Sequence, residues 1–78
     1  MNYDLAIMAL EGLGRAPLSL RVDGDAVVIE GEPASFKELA RLCLLIGGGQ
    51  TSGDAFELQP GVHVTKGSPT LRLRAQLS

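Results

Sequence analysis

The hydrophobic pattern of the chain is clearest over residues 35–49. Apolar side chains recur there at the spacing that gathers them on one face of an α-helix, at Phe36, Leu39, Ala40, Cys43 and Leu44. This stripe predicts a helix whose core face covers a sheet. Ser35 and Glu38 have the spacing of a capping box, which predicts the start of the helix. Gly47, Gly48 and Gly49 predict its end, because glycine readily takes a left-handed C-cap.

The same helix has a second apolar flank outside this stripe, formed by Leu42, Leu45 and Ile46. One small sheet does not cover both sides of a helix. The flank must therefore meet the N-terminal segment, another copy of the chain or a partner protein. We predict self-association through it, as a symmetric homodimer, since such dimers are the commonest homo-oligomers.

The N-terminal segment, residues 3–13, favours a short helix with one face formed by Leu5, Met8 and Ala9. The alternation of Tyr3, Leu5 and Ile7 also fits a strand, so both interpretations stay open. Any regular element is expected to break at the helix-disfavouring residues that follow, Gly12, Gly14 and Pro17.

Alternating apolar residues predict strands in the rest of the chain. Asp23-Gly24-Asp25 separates two such runs and predicts the turn of a hairpin. A strand is predicted at Ala55–Leu58, with Phe56 and Leu58 on one face. A brief extended piece and a last strand are predicted at Val62 and Val64 and at Leu71, Leu73, Ala75 and Leu77. The predicted fold class is α+β: a single, mainly antiparallel sheet of four to five strands with one main helix on its face.

Length and composition restrict what the chain can be. With 78 residues, 45% of them apolar and 4% aromatic, residues 1–78 form a single domain with a mainly aliphatic core. One cysteine forms no internal disulfide, so a cytoplasmic location is expected. A net charge of −2 argues against nucleic acid as a partner. The longest apolar run, residues 42–46, is too short to cross a membrane.

The residues that could carry chemistry favour structural roles, and no catalytic, cofactor or metal site is predicted. Cys43 shares the apolar face of the main helix, which predicts a buried, unreactive thiol. His63 lies between two valines, so on a strand it points to solvent and has no neighbouring ligands. Asp23-Gly24-Asp25 resembles the start of a calcium loop, but Ala34 stands where the twelfth-position glutamate belongs.

Residues 47–53 are rich in glycine but do not form a phosphate-binding loop. A P-loop follows a strand and carries lysine after its last glycine, whereas here a helix comes first and Asp54 replaces the lysine. The loop that contains Asp54 is predicted to be polar and tolerant of change.

Acidic residues are concentrated around the first hairpin, at Asp23, Asp25, Glu30 and Glu32. The simpler interpretation is a solvated edge that discourages aggregation between strands. The functional alternative is an acidic patch that attracts a basic protein partner. A second candidate binding surface is the solvent-exposed face that carries Arg21, Arg72 and Arg74, and it would bind an acidic partner.

Several segments of residues 27–77 together resemble a known family. They are Val28-Ile29-Glu30-Gly31, Ser35-Phe36, Leu39-Ala40, Phe56-Glu57-Leu58-Gln59-Pro60, Thr65-Lys66-Gly67-Ser68 and Leu71-Arg72-Leu73. This order resembles the small immunity proteins of bacterial polymorphic toxin systems. The resemblance implies a non-enzymatic protein that binds and occludes a cognate toxin. The alternative is a self-associating structural or regulatory domain, and an enzyme comes third.

Overall fold

The structure is a computed structural model that describes residues 3–48 and 55–76. Its elements in chain order are the helix α1 (Tyr3–Arg15), the strands β1 (Ser19–Asp23) and β2 (Ala26–Glu30), the helix α2 (Pro33–Gly47), and the strands β3 (Ala55–Leu58) and β4 (Leu71–Arg74). The α+β class is confirmed, and the N-terminal segment is a helix. Gly49, the loop with Asp54, and Leu77 lie outside the described residues.

The strands of the described residues form two separate antiparallel pairs, β1 with β2 and β3 with β4, instead of the single sheet that was predicted. The first pair is the predicted hairpin. Gly24 has φ of 62° at the first central position of its turn, where a residue without a Cβ is favoured. The second pair joins Phe56 to Leu73 and Leu58 to Leu71 in register, so the predicted apolar face of β3 is confirmed.

The single sheet does not form because another segment occupies the free edge of β1. The Leu18 N–H donates to the His63 carbonyl at 3.1 Å, and the Thr65 N–H donates to the Leu18 carbonyl at 2.8 Å. Further along, the Leu20 N–H donates to the Ser68 side-chain oxygen at 2.9 Å. These bonds satisfy the backbone of Leu18, which immediately precedes β1, and the N–H of Leu20 within β1, so no further strand is needed there. Val64 makes only isolated bridges, and residues 61–63 form a turn in place of the predicted extended piece.

The two helices pack against each other in opposite directions. Gly12 of α1 lies so close to Glu38 of α2 that a Cβ on Gly12 would be 2.5 Å from the Glu38 carboxylate. At the other end of the pair, Leu5 and Leu45 line the same groove. α1 therefore continues through the glycines that were expected to break it, and the lack of a side chain at Gly12 admits α2.

The start of α2 differs from the predicted capping box. Glu32 is the N-cap, without a side-chain cap, and Pro33 opens the helix. Ser35 is buried inside the first turn, and its hydroxyl donates to the Ala16 carbonyl at 2.6 Å. Glu38 instead pairs with Arg41. The serine thus joins the end of α1 to the start of α2.

The end of α2 is a glycine, as predicted, but not in a left-handed conformation. The helix ends at Gly47, and Gly48 has φ of −86° in the right-handed region. The Gly48 N–H donates to the Leu44 carbonyl at 2.9 Å, so this end closes as one more right-handed turn.

The core face of α2 is the flank that was predicted to self-associate. Leu42 is fully buried, and Leu45 and Ile46 are partly buried against the core. The predicted core stripe faces outward: Leu39 is half-buried, while Phe36, Ala40, Cys43 and Leu44 are exposed. The reason is that α2 packs against α1 and also meets β4, and the flank formed by Leu42, Leu45 and Ile46 is the side that joins the core. The remaining core residues are Ala6, Ala9, Leu13, Leu18, Leu20, Phe56, Leu58 and Val64.

Candidate protein-binding surfaces

The first hairpin extends beyond the core as a hairpin arm, residues 21–27, in which every residue is exposed. Leu20 is buried and pairs in register with the half-buried Ile29. The next pair on the same face of the hairpin is Val22 with Val27, and each is 70% exposed. The apolar face of the hairpin therefore continues from the core onto the arm.

The structure separates the four predicted acidic residues into two pairs. Asp23 and Asp25 lie at the tip, on either side of Gly24. Glu30 pairs in register with Ser19 at the base, and Glu32 follows it. Along β1, Asp23 is four residues beyond Ser19, a distance of about 13 Å. The acidic residues thus do not form one continuous cluster.

Arginine side chains lie beside the two carboxylates at the base of the hairpin, Glu30 and Glu32. Arg21 forms an ion pair with Glu30 across the hairpin. Arg15, at the end of α1, lines a surface groove of about 480 Å³ together with Glu30 and Glu32. Both arginines offset the negative charge at the base, so the tip aspartates are the stronger source of negative potential.

The three arginines of the predicted basic face belong to different sheets. Arg21 is on β1, whereas Arg72 and Arg74 are on β4. The Arg72 side chain donates to the Glu57 carboxylate at 2.7 Å, in an exposed ion pair between β4 and β3. Two of the three cations therefore have carboxylate partners, which weakens them as a site for an acidic protein.

The two helices together expose apolar side chains that sequence analysis placed on their apolar faces. Leu5 is 47%, Met8 62% and Leu44 75% exposed. Leu5 and Leu44 line a groove of about 280 Å³ between the helices, which Arg41 and Leu45 complete. We define the helix face as the exposed surface formed by Leu5, Met8, Glu11, Lys37, Ala40, Arg41 and Leu44.

Cys43 and His63 both differ from their predicted environments. Cys43 is exposed, because the face of α2 that carries it is turned away from the core. His63 is half-buried in a turn, and its Nδ1 accepts a hydrogen bond from the Gln59 N–H at 3.1 Å. Desolvation lowers the pKa of His63 from its ordinary value of 6.5. The His63 ring is therefore hydrogen-bonded to the backbone of Gln59 in the same turn.

The Thr-x-Gly-Ser segment of the family resemblance has a structural role in this chain. The Thr65 and Ser68 hydroxyls are hydrogen-bonded at 2.7 Å, and the Ser68 N–H donates to the Thr65 carbonyl at 2.9 Å. This turn directs the Ser68 oxygen at the Leu20 N–H. Ser68 of this segment completes the edge of β1, whereas Thr65, Lys66 and Gly67 are exposed.

Sequence reasoning missed the exposed Val22–Val27 pair and the helix face. The alternation that predicted the hairpin does not show where the core ends along it. Within residues 3–48 and 55–76, no group of three or more His, Cys, Asp or Glu side chains could hold a metal ion.

Neither helix in the described part of the chain is long and apolar enough to span a membrane. Comparison with protein-family models, with curated proteins and with solved structures gives no significant match.

Proposed function

We propose that this chain is a non-enzymatic protein-binding domain, and specifically an immunity protein that binds and occludes a cognate bacterial toxin. The hairpin arm is the observation that carries the proposal, because all of its residues are exposed and it combines apolar and acidic groups. The specific role of toxin inhibitor rests on the resemblance of residues 27–77 to immunity proteins. The proposal includes a cytoplasmic location, which rests on the single cysteine.

The arm has the properties of an element that enters a cleft on a partner. Val22 and Val27 supply an apolar surface that gains free energy when it is buried against another protein. Asp23 and Asp25 bring two negative charges to the tip. A basic cleft would attract these charges and accelerate encounter, and the valine pair would then slow dissociation.

The partner can be identified by capture on the tagged full chain in the native cell. Capture alone does not establish the function. The bound protein must also be toxic when expressed by itself, and co-expression of this chain must relieve the toxicity. A captured protein without such toxicity would contradict the inhibitor role.

The arm is tested with the identified partner and two matched charge variants. Asp23→Asn with Asp25→Asn removes two charges from the tip, and Glu30→Gln with Glu32→Gln removes two from the base. We expect the tip variant to associate more slowly and to lose more of its salt dependence than the base variant. All four positions are exposed, so thermal unfolding of both variants should match the wild type.

Substitutions of Val22 and Val27 distinguish apolar contact in the complex from electrostatic attraction during encounter. Val22→Ser with Val27→Ser should leave the association rate nearly unchanged and raise the dissociation rate. Equal rates for the wild type, the tip variant and the valine variant would show that the arm is not the binding element.

A further inference from the structure

We propose that the helix face is an interface between two copies of this chain. It is a different surface from the hairpin arm, so the inference does not depend on toxin binding. Of the flank formed by Leu42, Leu45 and Ile46, only Leu45 reaches it, where it completes the groove. Met8 and Leu44 are among the most exposed large apolar residues of the chain, and both are on this face. Leu5 and Leu44 line the groove beside them.

The charges of the helix face favour a second copy as the occupant. α1 contributes the exposed Glu11 and α2 the exposed Lys37 and Arg41. Arg41 also pairs with Glu38 of its own helix. The helix face therefore carries one carboxylate on α1 and two cations on α2, so Glu11 of one copy can pair with a cation of the other after a suitable rotation.

This rotation is made by a two-fold axis that runs parallel to the two helices. The axis lies at the surface of the helix face, above the line midway between α1 and α2. It places α1 of one copy over α2 of the other at the same level. Gly12 is level with Glu38, as their close approach shows, so Glu11 lies opposite Lys37 of the second copy. Met8 then lies within about one helical turn of the groove of the second copy. Its flexible apolar side chain suits an irregular groove of this kind.

The size of the face sets the strength that we expect. α1 has 13 residues and is about 20 Å long. A two-helix face of this length is at the small end of stable interfaces, so we expect a dimer with a micromolar dissociation constant. Analytical ultracentrifugation of the purified chain, from low micromolar to millimolar concentration, should show a monomer–dimer equilibrium.

The apolar part of the interface is tested with two single variants. Leu44→Glu should raise the dissociation constant of the dimer by about tenfold or more, because it places a charge at the apolar contact. Val27→Glu is the matched control, since Val27 is also highly exposed but lies on the hairpin arm. It should leave the dissociation constant unchanged. Both residues are exposed, so circular dichroism should show a native fold in each variant.

The charge pairing is tested with Glu11→Lys and Lys37→Glu. Each variant alone should dimerise more weakly than the wild type, because two like-charge contacts replace two attractive ones. A mixture of the two should form a heterodimer, in which both contacts pair Lys with Glu. The double variant within one chain should also dimerise.

A monomer of 8.2 kDa at millimolar concentration would overturn the inference. So would a dimer that Leu44→Glu leaves intact. Because every measurement uses this chain alone, neither result bears on whether the hairpin arm binds a toxin.

Discussion

Ser68 accepts a hydrogen bond from the backbone N–H of Leu20, at 2.9 Å and 48 residues away in the sequence. Both residues are buried, so this side chain substitutes for a neighbouring strand along the edge of β1. The bond ties the first hairpin to the segment that precedes β4. It occupies the edge of β1 at which a strand of the β3–β4 pair would otherwise dock.

Ser68→Ala should destabilise the chain by about 1–3 kcal/mol, because it leaves the buried Leu20 N–H without a partner. Urea unfolding measures this loss, and Thr70→Ala, at an exposed position two residues away, is the control. Hydrogen exchange at the Leu20 amide should also become faster. A loss below about 0.5 kcal/mol, typical of a surface substitution, would mean that another group satisfies this amide.

A loss of stability at mildly acidic pH is expected from His63. Its Nδ1 accepts the Gln59 N–H, so the folded state favours the neutral ring, and desolvation lowers the pKa of His63 below 6.5. The unfolded chain therefore binds this proton first as the pH falls. The stabilisation that the neutral His63 ring contributes is complete above pH 6.5 and decreases as the pH falls below that value. It becomes constant once the pH is below the pKa of His63 in the folded chain.

The measurement is urea unfolding of the wild type and of His63→Gln at a series of pH values. Gln does not titrate, so the difference between the two free energies of unfolding isolates the histidine. We expect the wild type to lose its advantage as the pH falls through the window below 6.5. A difference that grows on acidification would indicate a raised pKa and a different environment.

The orientation of α2 is tested by two leucines on opposite faces. Leu42 is fully buried, so Leu42→Ala should cost about 2–5 kcal/mol of stability. Leu44 is 75% exposed, so Leu44→Ala should cost less than about 0.5 kcal/mol in dilute solution, where the chain is monomeric. Leu39, half-buried, should fall between them. The reverse order would restore the stripe with Phe36 and Leu39 as the core face.

Cys43 provides an independent test of the same orientation. Because it is exposed, a thiol-reactive probe should label the native chain rapidly and to one adduct per molecule. The labelling rate in dilute buffer should be close to the rate in concentrated urea. Labelling that requires unfolding would place Cys43 in the core.

Sequence reasoning succeeded where local chemistry determines the structure. The turn at Gly24 requires positive φ, and the strand at Phe56 and Leu58 alternates with period two; both depend only on near neighbours. The boundaries of α2 were also nearly correct, because a proline and glycines flank it.

The sequence did not determine which face of each element is covered. α2 carries two apolar flanks, and its packing against α1 and β4 decides that Leu42 is inside and Leu44 outside. The same holds for the hairpin arm, where the pattern continues beyond the core through Val22. Tertiary contacts such as that between Ser68 and Leu20 are invisible to local periodicity, so the candidate surfaces could not be predicted with the fold class.

Ser35 links the two helices in the structure instead of capping α2. Ser35→Ala should cost about 1–3 kcal/mol, because the serine is buried and donates to the Ala16 carbonyl at the end of α1. A capping box would couple Ser35 energetically to Glu38. The structure instead pairs Glu38 with Arg41. A double-mutant cycle of Ser35→Ala with Glu38→Ala, measured by urea unfolding, should therefore be additive within about 0.5 kcal/mol. A larger coupling would mean that the two side chains act together and that the first turn of α2 is capped locally.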